Sequence, residues 1–148
     1  MLVLGVGSEL RSDDAAGRHV ADAVGRAELA DVEVVSVHQL TPELALDLAG
    51  RDRVVIVDAA VDVTEVTVTD IEPVAGEQPF SHHLGPGTLL ALAGQLDTAP
   101  SSVVVVSVPV HDLALGTELS TATAAAVETA TARVLELLAA ARDARAQN

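Results

Sequence analysis

The 148-residue chain contains no cysteine, no tryptophan, no tyrosine and a single phenylalanine. It also contains no lysine: its eight basic residues are all arginine, against 22 acidic ones, for a net charge of −14. Each absence removes a class of function. Without cysteine there is no disulfide framework, no thiolate metal site and no thiol nucleophile. With a single aromatic residue there is no platform for stacking successive bases. A chain this acidic is repelled by phosphate backbones and anionic lipid surfaces, so neither nucleic acid nor a membrane is an expected partner. Without lysine there can be no Walker-type G-K-S/T loop. No apolar run approaches the roughly 20 residues of a membrane span. The start, MLVLGVGSEL, has no basic n-region and meets a glycine at residue 5, so it reads as a buried strand rather than a signal peptide. The expectation is a soluble, cytoplasmic protein.

Hydrophobic residues make up 49% of the chain and charged residues 20%, a balance that argues for a folded core rather than disorder. The length suits one domain, residues 1–148, burying roughly two-thirds of its unfolded surface. Leu2–Val6, Val32–Val37, Arg53–Val57 and Val103–Val106 are continuous apolar or β-branched runs, as in strands buried on both faces of a parallel sheet. Val63–Ile71 instead alternates valine with threonine, the pattern of an edge strand. Between these runs lie helix signals. Ser12 or Asp13 can cap a helix with Ala16, Val20, Ala23 and Val24 on one face. Thr41-Pro42-Glu43 and Pro86 each open a further helix. A last helix starts near Ser120 and carries Val127, Ala130, Val134, Leu137, Leu138 and Ala141 as a stripe, with Arg142 and Arg145 near its end. The order βαβαββαβα predicts an α/β fold: a three-layer α/β/α sandwich around a five-stranded, mostly parallel twisted sheet with one antiparallel edge. A monomer is expected, because no amphipathic stripe is left over once the core is filled.

In an open α/β sheet, ligands bind beyond the carboxyl ends of the strands. The residues that follow each run are therefore informative. After the first come Gly5-Val6-Gly7-Ser8 and then Asp13-Asp14; the third ends in Asp58; the fourth is followed by Ser81-His82-His83, and the last by His111 and Asp112. Capping is the ordinary reading of Asp13 and Asp14, an ion pair that of Asp58, and an idle loop position that of His82 and His83. His19 and His38 read as ordinary histidines, and His111 sits at the crevice edge. The convergence of carboxylates and imidazoles on one edge outweighs any single residue. Two carboxylates and an imidazole suit a divalent first-row metal such as Mn, Ni or Zn, with positions left for water or substrate. A nucleotide site fits less well: Gly5-Val6-Gly7 supplies two glycines of G-x-G-x-x-G, position 10 is leucine, and Asp13-Asp14 would repel a pyrophosphate. Ser81 beside His82 lacks the G-x-S-x-G elbow of a serine hydrolase.

These segments resemble the hydrogenase maturation endopeptidases, which remove a C-terminal extension from the large subunit of nickel–iron hydrogenases. GVGSELRSDDAAG resembles the family's G-x-G-N-x-L-x-x-D-[DE]-G-x-G, VVIVDAAVD its strand ending in Asp, FSHHLGPGTLLALA its S-H-x-L-x-x-x-x-L-L block, and VPVHDLALGTELS the stretch before the last helix. HQLTPELALDLAG is similar to the subgroup serving soluble bidirectional or related cytoplasmic hydrogenases. The resemblance implies a five-stranded sheet sandwiched by helices and an aspartic-type endopeptidase acting in the cytoplasm. It implies that Asp14, Asp58 and His82 form the site, both as metal ligands and as catalytic residues, with His83 the alternative to His82. The metal it implies is nickel carried by the hydrogenase large-subunit precursor, which another divalent ion can replace. Ser8 stands where the family has Asn, and Ala15 where it has Gly. Two other functions fit the same residues: a metal-dependent peptidase of this fold acting on another precursor tail, and a non-catalytic module that binds metal or the large subunit.

Overall fold

The computed structural model describes residues 1–74, 84–96 and 98–148. Its elements follow in the order β1 (Leu2–Val6), α1 (Ala16–Gly25), β2 (Glu33–Val37), α2 (Ala45–Leu48), β3 (Val54–Ala60), β4 (Thr67–Asp70), α3 (Pro86–Gln95), β5 (Val103–Pro109) and α4 (Thr121–Ala146). Short 3₁₀ turns at Ser12–Ala15 and Pro42–Leu44 lead into α1 and α2. The five strands form one sheet in the order β2-β1-β3-β5-β4. All pairings are parallel except β4 against β5. The antiparallel edge therefore lies where the valine–threonine alternation placed it, although β4 is shorter than the patterned segment.

Side chains alternate along each strand and so divide the core in two. Val3, Val55, Val57, Val104, Val106 and Val108 face α1 and α4, meeting Val20, Val24, Ala130, Val134 and Leu138. Leu2, Leu4, Val54, Ile56 and Val103 face α2 and α3, meeting Leu48, Leu89, Leu90 and Ala93. Burying one such side chain is worth roughly 1.5–3 kcal/mol. That contribution, rather than helix propensity, accounts for a four-residue helix such as α2, which is far too short to persist alone. In α1 the buried face is Ala16, Val20, Ala21 and Val24 rather than one that includes Ala23. At the far end of α4, Arg142 and Arg145 reach Asp31, and Arg145 also reaches Asp52, tying the last helix to the loops before β2 and β3. Among the described residues, no helix is long and apolar enough to cross a membrane.

The topology creates one special position. From β1 the chain crosses through α1 to β2 on one side, then returns through α2 to β3 on the other side, and the two helices lie on opposite faces. The gap beyond the carboxyl ends of β1 and β3 is thus the switch point of the sheet, where such folds bind their ligands.

Candidate functional site

The glycines of the first segment shape this gap by packing. Gly7 ends β1 with φ at +145°, and a Cβ there would fall 1.8 Å from the carbonyl oxygen of Asp14. A Cβ at Gly17 would lie 2.2 Å from the carbonyl of Val57 and 2.6 Å from that of Val6. Only glycine lets the loop carrying Asp14 and the start of α1 press this closely against β1 and β3. The glycine pattern that superficially suggests a phosphate loop here brings a carboxylate against the sheet.

Asp13 and Asp14 then diverge. Asp13 is fully buried, and its carboxylate accepts five hydrogen bonds. The backbone N–H groups of His111, Asp112 and Ser120 donate at 2.9, 2.8 and 2.6 Å. The hydroxyls of Ser120 and Thr123 donate at 2.8 Å each. Burial alone would raise its pKa, but these donors outweigh burial and hold the carboxyl well below the usual carboxylate range. The expected capping role is therefore corrected. Neither Asp13 nor Ser12 caps the helix; Asp13 fastens the β1–α1 loop to the β5–α4 loop, and the Ser12 hydroxyl donates to the Ala114 carbonyl at 3.0 Å. The last helix begins near Ser120 as expected, and Ser120 caps it, accepting from the Thr123 N–H at 3.3 Å.

Asp14 turns the other way, into the gap, where the Ser8 N–H donates to its Oδ2 at 2.9 Å. Ser8 itself is buried, and its hydroxyl accepts from the Leu10 N–H at 3.4 Å, so the serine keeps the turn closed. Asp58 lies inside β3 rather than at its end: the strand runs on to Ala60, pairing Asp58 with Ser107 of β5. The pairing of β1 with β3, however, stops at Gly5 and Val57. On the β1 side Asp58 therefore borders open space. Among the described residues its one hydrogen bond is local, from the Ala59 N–H at 2.8 Å. Burial, only partly offset by that N–H and reinforced by the negative charge of Asp14, pushes its pKa up to about 6.

Asp14 and Asp58 line a single cleft of about 510 Å³. Val6, Gly7 and Arg11 contribute to it from the first loop, His38, Gln39 and Leu40 from the segment after β2, and Leu84, Gly85 and Pro86 from the start of α3. A depression between β4 and α4 is nearly as large, about 500 Å³, but its charged residues, Arg133 and Glu136, neutralise each other at 2.9 Å. Size does not separate the two; the carboxylate pair, which has no ion-pair partner among the described residues, does.

The other expected residues fall as follows. Ser81, His82 and His83 lie outside the described residues, and among the described residues no group of three His, Asp or Glu side chains is placed to hold a metal ion. The donor chemistry still suits a divalent cation: two carboxylates in one cleft, the charge of Asp14 disfavouring that of Asp58. His111 is exposed and engages Asp13 through its backbone rather than its ring. His19 is exposed on α1 and is not part of the cleft. His38, read as ordinary, lines the cleft. It stands one residue beyond β2, the position that drew attention to the residues after the other strands. Arg11 was also missed, because its place depends on a loop more than 100 residues away.

No protein-family model and no curated protein matches the sequence. Solved structures do. The fold is that of the hydrogenase maturation endopeptidases. The chain is similar to the hydrogenase maturating endopeptidase HybD from E. coli (24% identity, TM-score 0.74), over 93% of this chain and 90% of that one. It is similar to the [NiFe] hydrogenase maturation protease HybD from Thermococcus kodakarensis (25% identity, TM-score 0.66), over 92% and 97%. It is likewise similar to hydrogenase 2 maturation peptidase from Thaumarchaeota archaeon SCGC_AB-539-E09 (25% identity, TM-score 0.70), over 93% and 97%.

Proposed function

We propose that this chain is a hydrogenase maturation endopeptidase, which removes the C-terminal extension of a nickel–iron hydrogenase large-subunit precursor once nickel is in place. The observation that carries this reading is the Asp14–Asp58 pair, two carboxylates with no ion-pair partner among the described residues, at the switch point of a fold shared with maturation proteases. The precursor's nickel is the cation they await, with His82 (or His83) as the third ligand. Without nickel, docking would leave the two negative charges facing each other, so an unloaded precursor is disfavoured by repulsion rather than by any missing contact.

Asp58 is also suited to the hydrolytic step. It lines the cleft beside Asp14, where a carboxylate oxygen can take a proton from water. In the proposed reaction, the oxygen of that water bonds to the scissile carbonyl carbon. Its proton passes to Asp58 and then to the departing amine, leaving one new carboxylate and one new amine. Asp14, anchored by the Ser8 N–H, fixes the position of the cation beside it.

The test is incubation with nickel-loaded and nickel-free precursor, read as the C-terminal mass shift. Trimming of the loaded form alone, lost in Asp14→Asn, Asp58→Asn and His82→Ala, is the expected result. Trimming that survives in His82→Ala but not in His83→Ala would move the third ligand. Tight docking without trimming would leave a binding module. Inertness toward this precursor with cleavage of another tail would leave a peptidase of different specificity.

A further inference from the structure

The cleft has a wall that the hydrolytic reading does not use. Asp14 and Asp58 line it from the β1–α1 loop and from β3, whereas His38 and Gln39 line it from beyond the end of β2. Both are exposed, yet the segment that carries them is fixed at either end. The Gly7 N–H donates to the Val37 carbonyl at 3.0 Å, so the chain leaves β2 against the same glycine that packs on Asp14. Past Gln39, Leu40 packs against the apolar core on the α2–α3 side. The Leu44 N–H then closes the following turn on the Thr41 carbonyl at 3.1 Å. His38 and Gln39 are the two polar residues of a short bridge between these anchors.

Their distance from the carboxylates decides what they can touch. β1 pairs in parallel with β2 on one side and with β3 on the other. Neighbouring strands lie about 4.8 Å apart, so β2 and β3 are separated by roughly 10 Å. Asp14, Asp58 and His38 accordingly do not come together as a group that could hold a metal ion. His38 shares the cleft with the carboxylates without sharing their cation, and its partner is to be sought on the polypeptide that brings the cation in. At roughly 3.4 Å per residue, an extended chain crosses the interval from β3 to β2 in about three residues.

We infer that His38 and Gln39 clamp the main chain of the substrate polypeptide about three residues from the scissile bond. An imidazole N–H and a side-chain amide can each donate to a peptide carbonyl, and the Gln39 side-chain carbonyl can accept from a peptide N–H. Main-chain contacts are the same whatever side chains the substrate carries, so such a clamp aligns a tail without reading its sequence. In the proposed reaction the carboxylate pair already discriminates loaded from empty precursor. The clamp adds orientation, holding the bond to be cut over Asp58. The inference rests on the peptidase reading given above and deepens it.

The experiment measures steady-state trimming and equilibrium binding of the nickel-loaded precursor with His38→Ala, Gln39→Ala, His38→Gln and, as control, His19→Ala. His19 is exposed on α1 and outside the cleft, and unchanged thermal melts verify the fold of each variant. The expected result is a rise in KM and Kd of about three- to tenfold for His38→Ala and for Gln39→Ala, with kcat retained at saturating precursor. His38→Gln, which keeps a donor at that position, restores most of the affinity, and His19→Ala changes nothing. Alanine substitutions two to four residues to either side of the precursor's scissile bond leave the His38→Ala defect at full size, because a main-chain contact survives them. A precursor substitution that abolishes the defect overturns the main-chain clamp in favour of a side-chain contact. A fall in kcat with Kd unchanged overturns it in favour of a part in the chemical step. Unchanged KM and Kd in both alanine variants, with trimming intact, overturns the clamp and leaves the peptidase standing. Binding that both alanine variants weaken, without trimming by the unaltered chain, retains the clamp and overturns the peptidase. A precursor that does not bind overturns both.

Discussion

Two aspartates at the carboxyl edge of the sheet are withdrawn from water to different ends. Asp13, fully buried beneath the β5–α4 loop, is surrounded by five donors and remains charged well into acid. Asp58, at the β1–β3 gap, receives among the described residues one N–H, from its own neighbour, faces the charge of Asp14, and titrates near 6. The first is satisfied by the protein and has nothing to offer a ligand. The second is left wanting a cation or a proton. Saturation marks structure here, and deprivation marks the site.

Replacing Asp13 should give the largest effect. Asp13→Ala leaves three backbone N–H groups and two hydroxyls without their acceptor; a loss of about 3–5 kcal/mol in denaturant melts is expected. Removal of Asp58 should do the reverse. Because its native pKa lies above the unfolded one, the native state binds the proton more tightly, and stability falls as pH rises from about 4 through 6. Asp58→Asn should therefore gain about 1–2 kcal/mol at pH 7, a gain that vanishes below pH 4, while trimming is lost. A destabilised Asp58→Asn at pH 7 would break the comparison. Asp13 has the opposite linkage: its contribution is intact above the unfolded value near 3.9 and is lost as pH falls below it. Melts between pH 2 and 5 should show the difference between wild type and Asp13→Ala shrinking toward acid. The smallest effect is expected for Thr123→Val, which removes one donor while keeping shape and should cost about 1 kcal/mol without altering activity.

Much of the architecture was legible because each strand is a run of apolar residues and each helix has an apolar face. Val103–Val106 and the stripe through Ala130, Val134 and Leu138 announce themselves locally. The sheet's carboxyl edge was legible for the same reason, as the set of polar residues following those runs. Strand ends were less so. β3 continues through Asp58 because β5 beside it supplies hydrogen-bond partners, a cross-chain fact that a break in the apolar run conceals. Asp13 looked like a cap because capping is a relation among neighbours, whereas its donors lie some hundred residues away. The same distance hid Arg11, which is placed at the cleft only once Gly116 is laid against it. His38 was within reach, since it follows β2 as Asp58 follows the apolar core of β3.

The junction at Asp13 also has a consequence for the order of events during synthesis. The loop that carries Asp14 takes its shape from groups at residues 111, 112, 120 and 123, so closing it requires nearly the whole chain. An emerging polypeptide can pair β1 with β2 and even with β3 while its first loop remains unfastened. The cleft is therefore among the last parts to be completed, and a ribosome-bound or prematurely ended chain lacking the start of α4 has its carboxylates without the scaffold that aims them. The cleft takes its final form only with the last helix.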